Sequence, residues 1–420
     1  MKSRRKSGKE QHNDASCHPA VQGGWQDYEK GGVVLNLDLI EEQIIIQDTA
    51  RRFAKTELEP LAARLDEVGD REAFLKNLRK LAELGLMGIN VNSKYGGSEA
   101  GVVAFSLAIT EIARACASTA VTMSVNNLVA EVIQAIGTEE QKMAYIPKIC
   151  SGEYYAGGFG LTETVAGSDA SALQTSAVLD GNEWILNGSK MFITSAEYAG
   201  VFVVWAVTDK TAKKGSGIST FLVENGTPGL TVGREEHKMG QHASATNELI
   251  FEDCRIPKSA LMGKLNGGFK TATGELAGGR IGIGSLGLGV GLAAMDYATR
   301  YAMNRRQFDQ PITNFQAIQW MIAESYTELE AARLLLMNAA CKKEQGKPFA
   351  REASMAKFYA TEAADRACYN AIQMLGGYGY TREFPVERFA RDVRITCIYE
   401  GTNQIQRMII ARDILNSLKE

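Results

Sequence analysis

Residues 176–195 read SAVLDGNEWILNGSKMFITS, and this stretch decides the fold class. Apolar and β-branched residues alternate in it with polar ones, and the Asp-Gly pair at 180–181 and the Asn-Gly pair at 187–188 are typical of hairpin turns. Similar runs follow at 201–207, 218–224 and 247–257. The pattern predicts a β domain of short strands and hairpins over residues 156–265.

Helical patterns flank this β domain on both sides. Residues 34–155 carry apolar residues at helical spacing, and the segment 102–136 within them is apolar and helix-permissive throughout. Asp38 and Glu41 are spaced like a capping box at the start of the first helix. The helical period returns over residues 266–420. The sequence therefore predicts an α+β protein with three domains: helical, then β, then helical.

The first 33 residues differ in composition from the rest of the chain. They open with MKSRRKSGKE and continue with Ser, Gly, Asn and Gln, with little apolar content. We expect a disordered tail over residues 1–33. It lacks the apolar core of a secretory signal, and its acidic residues favour an extended N-terminus over a transit peptide.

The composition excludes several classes of protein. With 45% hydrophobic and 23% charged residues among 420, the chain is globular. A net charge of −3 provides no general basic field for nucleic acid. The longest uncharged run, 281–295, has 15 residues, which is too short and too glycine-rich to predict a membrane span.

Histidine and cysteine counts narrow the chemistry further. Only four His are present, two of them in the polar tail, so that a His-based metal site or a Ser-His-Asp triad is not expected. The seven Cys are scattered without any C-x-x-C, which indicates reduced thiols. An acid–base group in this chain is therefore expected to be a carboxylate, Lys or Tyr.

Two glycine-rich stretches carry alternative interpretations. Residues 281–289, IGIGSLGLG, contain the G-x-G-x-x-G of dinucleotide-binding loops, but that interpretation needs a preceding strand and residues 269–280 look helical. We therefore expect these glycines to let helices pack closely. Residues 376–379, GGYG, end another helical segment, where a helix C-cap and a cofactor-binding turn are equally open.

Residues 398–412, IYEGTNQIQRMIIAR, combine a carboxylate with the start of a helix. Thr402 or Asn403 can cap this helix. Glu400 either points from the helix start into a pocket or is solvated and interacts with the helix dipole. The polar loop 161–169 is likewise either a connector or a cradle for a ligand. The apolar face of the final helix is expected to comprise Ile405, Met408, Ile409 and Leu415.

Taken in order, these segments resemble the acyl-CoA dehydrogenase family over residues 35–414, about nine-tenths of the chain, with the short-chain, butyryl-CoA-type branch the most similar. The matching stretches are GLTETVAGSD (160–169), NGSKMFITS (187–195), KMG (238–240), NELIFEDCRIP (247–257), GGRIGIGSLGLGVG (278–291), NRRQF (304–308), FQAIQ (315–319), QMLGGYGYTREFPVERFARD (373–392) and IYEGTNQIQR (398–407).

The resemblance implies a middle β-barrel or sandwich domain and a C-terminal four-helix bundle. It also implies FAD-dependent α,β-dehydrogenation of a short-chain, or alternatively medium-chain, acyl-CoA to the trans-2-enoyl-CoA. Glu400 would be the base and flavin N5 the hydride acceptor. Electrons would pass to an electron-transferring flavoprotein, and the reverse reaction, enoyl-CoA reduction, is also allowed. A homotetramer in a bacterial-type cytoplasm, rather than the mitochondrial matrix, is expected, with no nucleic-acid partner and no membrane span.

Besides Glu400 as the base, the family pattern assigns one group of residues to acyl-CoA binding and another to FAD binding. Acyl-CoA would touch Ser168, Arg280 and Gly401. The expected FAD-binding residues are Phe159, Leu161, Thr162, Gly167, Ser168, Phe192, Ile193, Thr194, Arg305, Phe308, Gln316, Gln373, Gly376, Gly377, Thr402 and Gln404. Of these, Arg305 and Gln316 would come from a neighbouring subunit.

This chain departs from the family pattern at several positions. Ala277 replaces an Asp that helps hold the CoA arm, Asp309 replaces a Gly, and His242 replaces an Arg. Gly279 leaves empty the position where branched- and long-chain members carry a relocated base. Glutaryl-type members of the family bind the distal carboxylate through an Arg ahead of an M-S-V stretch. Residues 119–127 here contain no Arg, so the resemblance makes a dicarboxylic substrate less expected. One alternative function on the same fold is a flavin lyase, oxidase or monooxygenase. Another is a non-enzymatic flavoprotein or a nucleic-acid-binding relative.

Overall fold

The computed structural model describes residues 38–419. The predicted disordered tail, 1–33, lies outside the described residues. Within them, helices occupy residues 41–150, a sheet occupies 156–262, and helices return over 268–417. This order confirms the predicted α+β fold of three domains.

Six α-helices of the described residues belong to the first domain. They are α1 (Glu41–Phe53), α2 (Ala62–Val68), α3 (Arg71–Glu83), α4 (Gly101–Ala115), α5 (Ala117–Ile136) and α6 (Glu139–Cys150), with a π turn at Ala54–Leu58. The helical segment predicted over 102–136 is divided at Cys116, whose backbone is extended. The predicted capping box of Asp38 and Glu41 is wrong, because Ile40 is the N-cap residue and its N–H donates to Gln43 Oε1 at 3.2 Å.

The middle domain is one eight-stranded sheet. Its strands are β1 (Ala156–Gly160), β2 (Ser176–Asp180), β3 (Glu183–Thr194), β4 (Ala199–Val207), β5 (Ile218–Glu224), β6 (Leu230–Glu235), β7 (Thr246–Pro257) and β8 (Leu261–Met262). They are arranged in the order β6-β7-β3-β2-β4-β5-β8, with β1 paired to β4 in parallel. A hairpin turn joins β2 and β3, as predicted, but Asp180 pairs with Glu183, so the turn residues are 181–182 rather than 180–181. The second predicted turn, at Asn187-Gly188, is instead a register shift inside β3.

Strand β4 shows how the sheet separates two cores. Val201, Val203 and Trp205 belong to the large core shared with the helices. Phe202 and Val204 belong to a second core enclosed by the sheet itself. Because successive side chains of a strand point to opposite faces, one strand contributes to both cores and fixes the sheet against the helical domains.

The last domain consists of three long helices and two shorter ones. They are α7 (Gly268–Asn304), α8 (Gln316–Glu344), α9 (Ala350–Leu375), α10 (Val386–Arg394) and α11 (Asn403–Ser417). A short hairpin, β9 (Arg306–Gln307) and β10 (Gln310–Pro311), connects α7 to α8.

The glycines of α7 are packing residues, as expected, rather than a dinucleotide-binding loop. A Cβ at Gly284 would lie 3.3 Å from Lys357 Cα, one at Gly287 3.4 Å from Thr361 Cα, and one at Gly291 3.0 Å from Ala364 Cα. Residues spaced by three and four positions lie on the same face of a helix, and α9 packs closely against this face of α7. Gly282 and Gly289 open the other side toward α4 and α5.

Helix α7 is by length and composition apolar enough to cross a membrane, since an 18-residue window reaches a mean hydropathy of 1.4. The sequence did not predict this, because the uncharged run within the helix, 281–295, has only 15 residues. In the structure, 78% of that window is buried inside the protein. Its apolar surface is therefore used in packing against α4, α5 and α9.

Helix α11 differs from the sequence prediction. Ile405 and Ile409 are partly buried, whereas Met408 and Leu415 are 66% and 60% exposed. The buried residues of this helix are the polar Asn403 and Gln406. The side chains of Asn403 and Gln406 make hydrogen bonds that hold the turn before the helix.

Candidate active site

Glu400 lies in a tight turn between the one-turn helix Ile395–Cys397 and α11. Its φ is 52° and that of Gly401 is 88°, so that two consecutive residues adopt the left-handed conformation. For a non-glycine residue such a backbone costs on the order of 1–3 kcal/mol and persists only where the surroundings hold it. The turn at Glu400 is therefore imposed by its neighbours.

Three side chains hold this turn. Thr402, one of the two predicted caps, is the N-cap of α11, and its Oγ1 accepts from the Ile405 N–H at 3.3 Å. Gln406, fully buried, donates through Nε2 to the Glu400 carbonyl at 3.3 Å and the Gly401 carbonyl at 2.8 Å. Lys357 Nζ donates to the Gly401 carbonyl at 3.0 Å. Neither Gln406 nor Lys357 was singled out from the sequence.

The Glu400 side chain lies against α7 at Gly279. A Cβ at position 279 would lie 2.2 Å from Glu400 Oε2, so the carboxylate can occupy its observed position only if residue 279 is glycine. Oε2 is buried and has no hydrogen-bond partner among the described residues. Burial raises the pKa of Glu400 to about 7, against the opposing effect of the Arg280 and Lys357 cations. A carboxylate with a near-neutral pKa and a free oxygen is suited to general-base chemistry.

Arg280 is a second buried charged group beside Glu400. It is 6% exposed, its Nη1 donates to Ser354 Oγ at 3.2 Å, and its Nε has no partner among the described residues. Burial lowers the pKa of Arg280, while the nearby Glu400 carboxylate opposes that shift. The unpaired Nε leaves a donor for a group that enters the site.

In the middle domain, the loop after β1 and the end of β3 form one surface. The Met191 N–H donates to the Thr162 carbonyl at 2.8 Å, which joins the two segments. Phe192 has a φ of 60° and a side chain that is 60% exposed. Of the other predicted FAD-binding residues here, Leu161 and Ile193 are buried, Phe159, Thr162 and Thr194 are partly buried, and Gly167 and Ser168 are exposed.

A buried ion pair fixes this loop. Lys190 Nζ lies 2.6 Å from Glu163 Oε1 and also donates to the Leu161 carbonyl at 3.3 Å. Glu163 further accepts from the backbone N–H groups of Gln174 and Thr175, at 2.6 and 3.0 Å. Burial alone would raise the pKa of Glu163, but the Lys190 cation and these hydrogen bonds hold it below its usual range.

The sequence analysis missed this pair, although one signal was present. Side chains of a strand alternate between its two faces, and Lys190 is separated from the buried Trp184 and Leu186 by an even number of positions. The alternation therefore predicts that Lys190 lies on the inward face of β3. A buried lysine needs a partner, and the only charged residue in the preceding loop before Asp169 is Glu163.

Six further predicted FAD-binding residues lie apart from the surface around Phe192. Arg305, Phe308, Gln316, Gln373, Gly376 and Gly377 are all exposed. The Arg305 guanidinium lies 5.6 Å from the centre of the Tyr378 ring, which joins the hairpin region to the glycine turn. Within residues 38–419, no hydrogen bond, ion pair or ring contact connects this group to the one around Phe192.

These two groups fit the parts of a flavin dinucleotide. The first offers an exposed aromatic ring at Phe192 and the hydroxyls of Thr162, Ser168 and Thr194. The second offers the exposed Arg305 and the Gly376–Gly377 turn, where an added Cβ would meet nothing within 4 Å. An arginine and accessible backbone groups are suited to a diphosphate. Gln404 is exposed and Gly401 and Thr402 are partly buried beside Glu400.

The three departures from the family pattern lie in different surroundings. Asp309 has a φ of 64°, a left-handed conformation that glycine adopts freely and Asp tolerates. His242 lies 2.9 Å from Asp66 through Nδ1 and 2.8 Å from the Lys238 carbonyl through Nε2. Ala277 is buried on α7.

Family models match the chain in succession. The acyl-CoA dehydrogenase N-terminal domain matches residues 40–153, the middle domain residues 158–254 and the C-terminal domain residues 266–415. The chain belongs to the acyl-CoA dehydrogenase family. It is accordingly an FAD-dependent oxidoreductase, as the sequence analysis expected.

Individual relatives agree with this assignment. The chain is 46% identical over 388 residues to the mitochondrial short-chain specific acyl-CoA dehydrogenase of Bos taurus, covering 92% of this chain and 93% of that one. It is 43% identical over 384 residues to acryloyl-CoA reductase (NADH) of Anaerotignum propionicum, covering 91% and 96%. A chain in the solved structure of the electron transferring flavoprotein of Acidaminococcus fermentans matches with a TM-score of 0.88 and 44% identity, covering 90% and 99%.

Proposed function

We propose that the chain catalyses the α,β-dehydrogenation of a short-chain acyl-CoA, with Glu400 as the base. The Glu400 carboxylate takes the proton from the α-carbon, the β-carbon loses a hydride, and a trans double bond forms between the two carbons. FAD, when bound, supplies the acceptor for that hydride. Medium-length acyl chains are the alternative substrate class.

The observation that carries this proposal is the state of the Glu400 side chain. Its Oε2 is buried and lacks a hydrogen-bond partner among the described residues, and burial raises its pKa to about 7. A group in this state accepts a proton readily at neutral pH, because burial makes its ionised form less favourable. The Glu400 backbone N–H would donate to the thioester carbonyl and stabilise the developing enolate.

The substrate and cofactor contacts proposed for the other residues follow their positions. Arg280 would meet acyl-CoA through its unpaired Nε, with Ser168 and Gly401 as further contacts. The surface around Phe192 would hold the flavin ring. Arg305 and Gln316 would bind the diphosphate and adenosine part of an FAD held by a neighbouring subunit. Their separation from the Phe192 group within one chain supports this arrangement.

This arrangement requires an oligomer, and we propose a homotetramer. Sedimentation of the yellow holoprotein is expected to give four chains per particle with one FAD each. A fully active monomer would contradict the assignment of Arg305 and Gln316.

The proposed electron acceptor is an electron-transferring flavoprotein, which the match to the Acidaminococcus fermentans structure supports. The match to acryloyl-CoA reductase supports enoyl-CoA reduction as the reverse reaction. We propose a cytoplasmic location. Rapid oxygen consumption on addition of acyl-CoA would instead indicate an oxidase.

Glu400→Gln tests the proposed reaction. The variant keeps the volume of the side chain but cannot accept the α-proton, so FAD and butyryl-CoA should still bind. Anaerobic stopped-flow bleaching of the flavin by butyryl-CoA should slow by at least roughly 10²–10⁴-fold. Glu330→Gln, which alters an exposed carboxylate paired with Arg333 on α8, is the matched control and should bleach at the wild-type rate. Wild-type bleaching by Glu400→Gln would show that the base lies elsewhere.

A further inference from the structure

Lys357 is a fully buried lysine behind the Glu400 turn. It lies on α9 where that helix meets α7, and the missing side chain of Gly284 permits the close approach. Its neighbours along the same face of α9 are small: Ala353, Ala356, Ala360 and Thr361 are all buried. A charged side chain in such surroundings is expensive to bury and needs polar partners.

The partners of the Lys357 ammonium are neutral. Nζ donates to the Gly401 carbonyl at 3.0 Å and to Asn403 Oδ1 at 2.9 Å. Asn403 is itself held by Thr361, whose Oγ1 accepts from Asn403 Nδ2 at 3.0 Å. Within residues 38–419, no carboxylate lies within ion-pair distance of Lys357. Its charge is therefore not neutralised by direct contact.

Four charged or titratable groups face Lys357. Arg280 comes from α7, Cys397 and Glu400 from the segment before α11, and Glu362 from α9 itself. Glu362 already pairs with Arg407 at 2.7 Å. Burial lowers the pKa of Lys357 to about 8, and the acidic groups oppose that shift, so that the ammonium is protonated at neutral pH. Glu400 has no ion-pair contact among the described residues and can respond to this charge.

We propose that Lys357 is a positioning residue for Glu400. Its ammonium holds the left-handed Glu400–Gly401 turn through the Gly401 carbonyl and Asn403, and its charge stabilises the ionised base across the turn. This inference rests on the proposed function, because it assigns to Lys357 an effect on the Glu400 base.

The expected consequence is a change in the pH dependence of the reaction. Only the ionised Glu400 accepts a proton, and loss of a nearby cation makes the ionised form less favourable. The flavin-reduction rate of a variant without the charge should therefore reach its plateau at higher pH. Each unit of upward shift corresponds to about a tenfold lower rate well below the midpoint.

Lys357→Met removes the charge and the donor while keeping a similar length. Anaerobic flavin reduction by butyryl-CoA is measured from pH 5.5 to 9 on the FAD-loaded protein. We expect the midpoint to rise by about one pH unit and the rate at pH 6 to fall about tenfold. The rate at pH 9 should recover to within a few-fold of wild type. Lys357→Arg, which keeps the charge, should retain the wild-type midpoint.

Lys342→Met is the matched control. Lys342 lies on α8 in the same domain and pairs with Glu352 at 2.6 Å, away from the Glu400 turn. Its removal also deletes a partly buried lysine, but the midpoint should stay at the wild-type value. A midpoint shift in Lys342→Met equal to that of Lys357→Met would overturn the specific assignment.

An unshifted midpoint in a Lys357→Met protein that binds FAD and butyryl-CoA normally would overturn the inference. If Lys357→Met does not fold, Lys357→Gln keeps a donor to Gly401 without the charge, and an unshifted midpoint there is equally decisive. Glu400→Gln separates the two proposals. If flavin reduction is slow in Glu400→Gln and the pH midpoint of the Lys357 variant is unshifted, only the inference about Lys357 is overturned. If flavin reduction in Glu400→Gln is as fast as in the wild type, both the proposed base and the inference are overturned.

Discussion

Two buried lysines of this protein occupy similar environments and make different contacts. Lys190 in the sheet and Lys357 in the last helical domain are both fully buried. Burial lowers the pKa of each to about 8. The Lys190 ammonium contacts the Glu163 carboxylate at 2.6 Å, whereas the Lys357 ammonium donates, among residues 38–419, only to the Gly401 carbonyl and the Asn403 amide oxygen.

The difference shows that the effect of a buried lysine depends on whether a carboxylate contacts its ammonium group. The charge of Lys190 is neutralised at contact, so that its effect is local: it fixes the loop that starts at Leu161. The charge of Lys357 has no contacting counter-ion among the described residues, so its field reaches Glu400. The first lysine is thus expected to matter for stability, and the second for the protonation of the base.

The largest expected effect is on stability, from Lys190→Met. Removing one partner of a buried pair leaves the Glu163 carboxylate uncompensated, which costs about 3–5 kcal/mol. Lys357→Met leaves only neutral groups unpaired and should cost about 1–3 kcal/mol. Urea unfolding of the FAD-loaded proteins measures both values.

The double variant Glu163→Gln/Lys190→Met provides the control for this prediction. It removes both charges and should recover part of the stability lost in Lys190→Met. An equal loss of stability in Lys190→Met and Lys357→Met would contradict the distinction between the two lysines.

Gly279→Ala should give the next largest effect, on the rate of flavin reduction. The new Cβ would lie 2.2 Å from Glu400 Oε2 and displace the carboxylate within a turn that Lys357 still holds. A displacement of this kind is expected to slow reduction by about 10- to 100-fold, with FAD retained. Gly274→Ala on the same helix is the control, because its Cβ meets nothing within 4 Å. Equal rates for the two variants would refute the contact between Gly279 and the base.

The smallest effect is the pH dependence of the wild-type protein. Because Glu400 acts in its ionised form and its pKa is raised to about 7, flavin reduction should increase as the pH rises through about 7. Lys190→Met should keep this midpoint, in contrast to Lys357→Met. A midpoint near 4.5, the ordinary value for glutamate, would show that the base is exposed to solvent during the reaction.

Local sequence patterns predicted much of the fold because they depend on neighbouring residues. The hairpin near Asp180-Gly181 and the packing role of the α7 glycines were predicted and are confirmed, and of the two predicted caps the structure selects Thr402 rather than Asn403. Asn187-Gly188 was predicted as a turn because the dipeptide alone does not show that β7 continues alongside β3. The predicted apolar face of α11 failed at Met408 and Leu415 because the helix buries Asn403 and Gln406 instead.

The candidate site depended on more than local pattern. The neighbours of Glu400 in the sequence slightly favoured a solvated helix-start residue, and it was the family resemblance that selected Glu400 as the base. The resemblance also assigned residues to FAD and acyl-CoA, and those assignments stay predictions. It assigned nothing to Lys190, Lys357 or Gln406, which the structure brings to the supporting positions.

The sequence by itself determined the order of helical and β domains, because backbone periodicity and turn chemistry are properties of short segments. Only the tertiary structure decided which charges are buried and what each one faces. Lys357 and Gly401 are 44 residues apart, and Glu163 and Lys190 are 27 apart. Contacts over such separations exist only after helices and strands have packed, and the cost of burying a charge is set by what that packing places beside it.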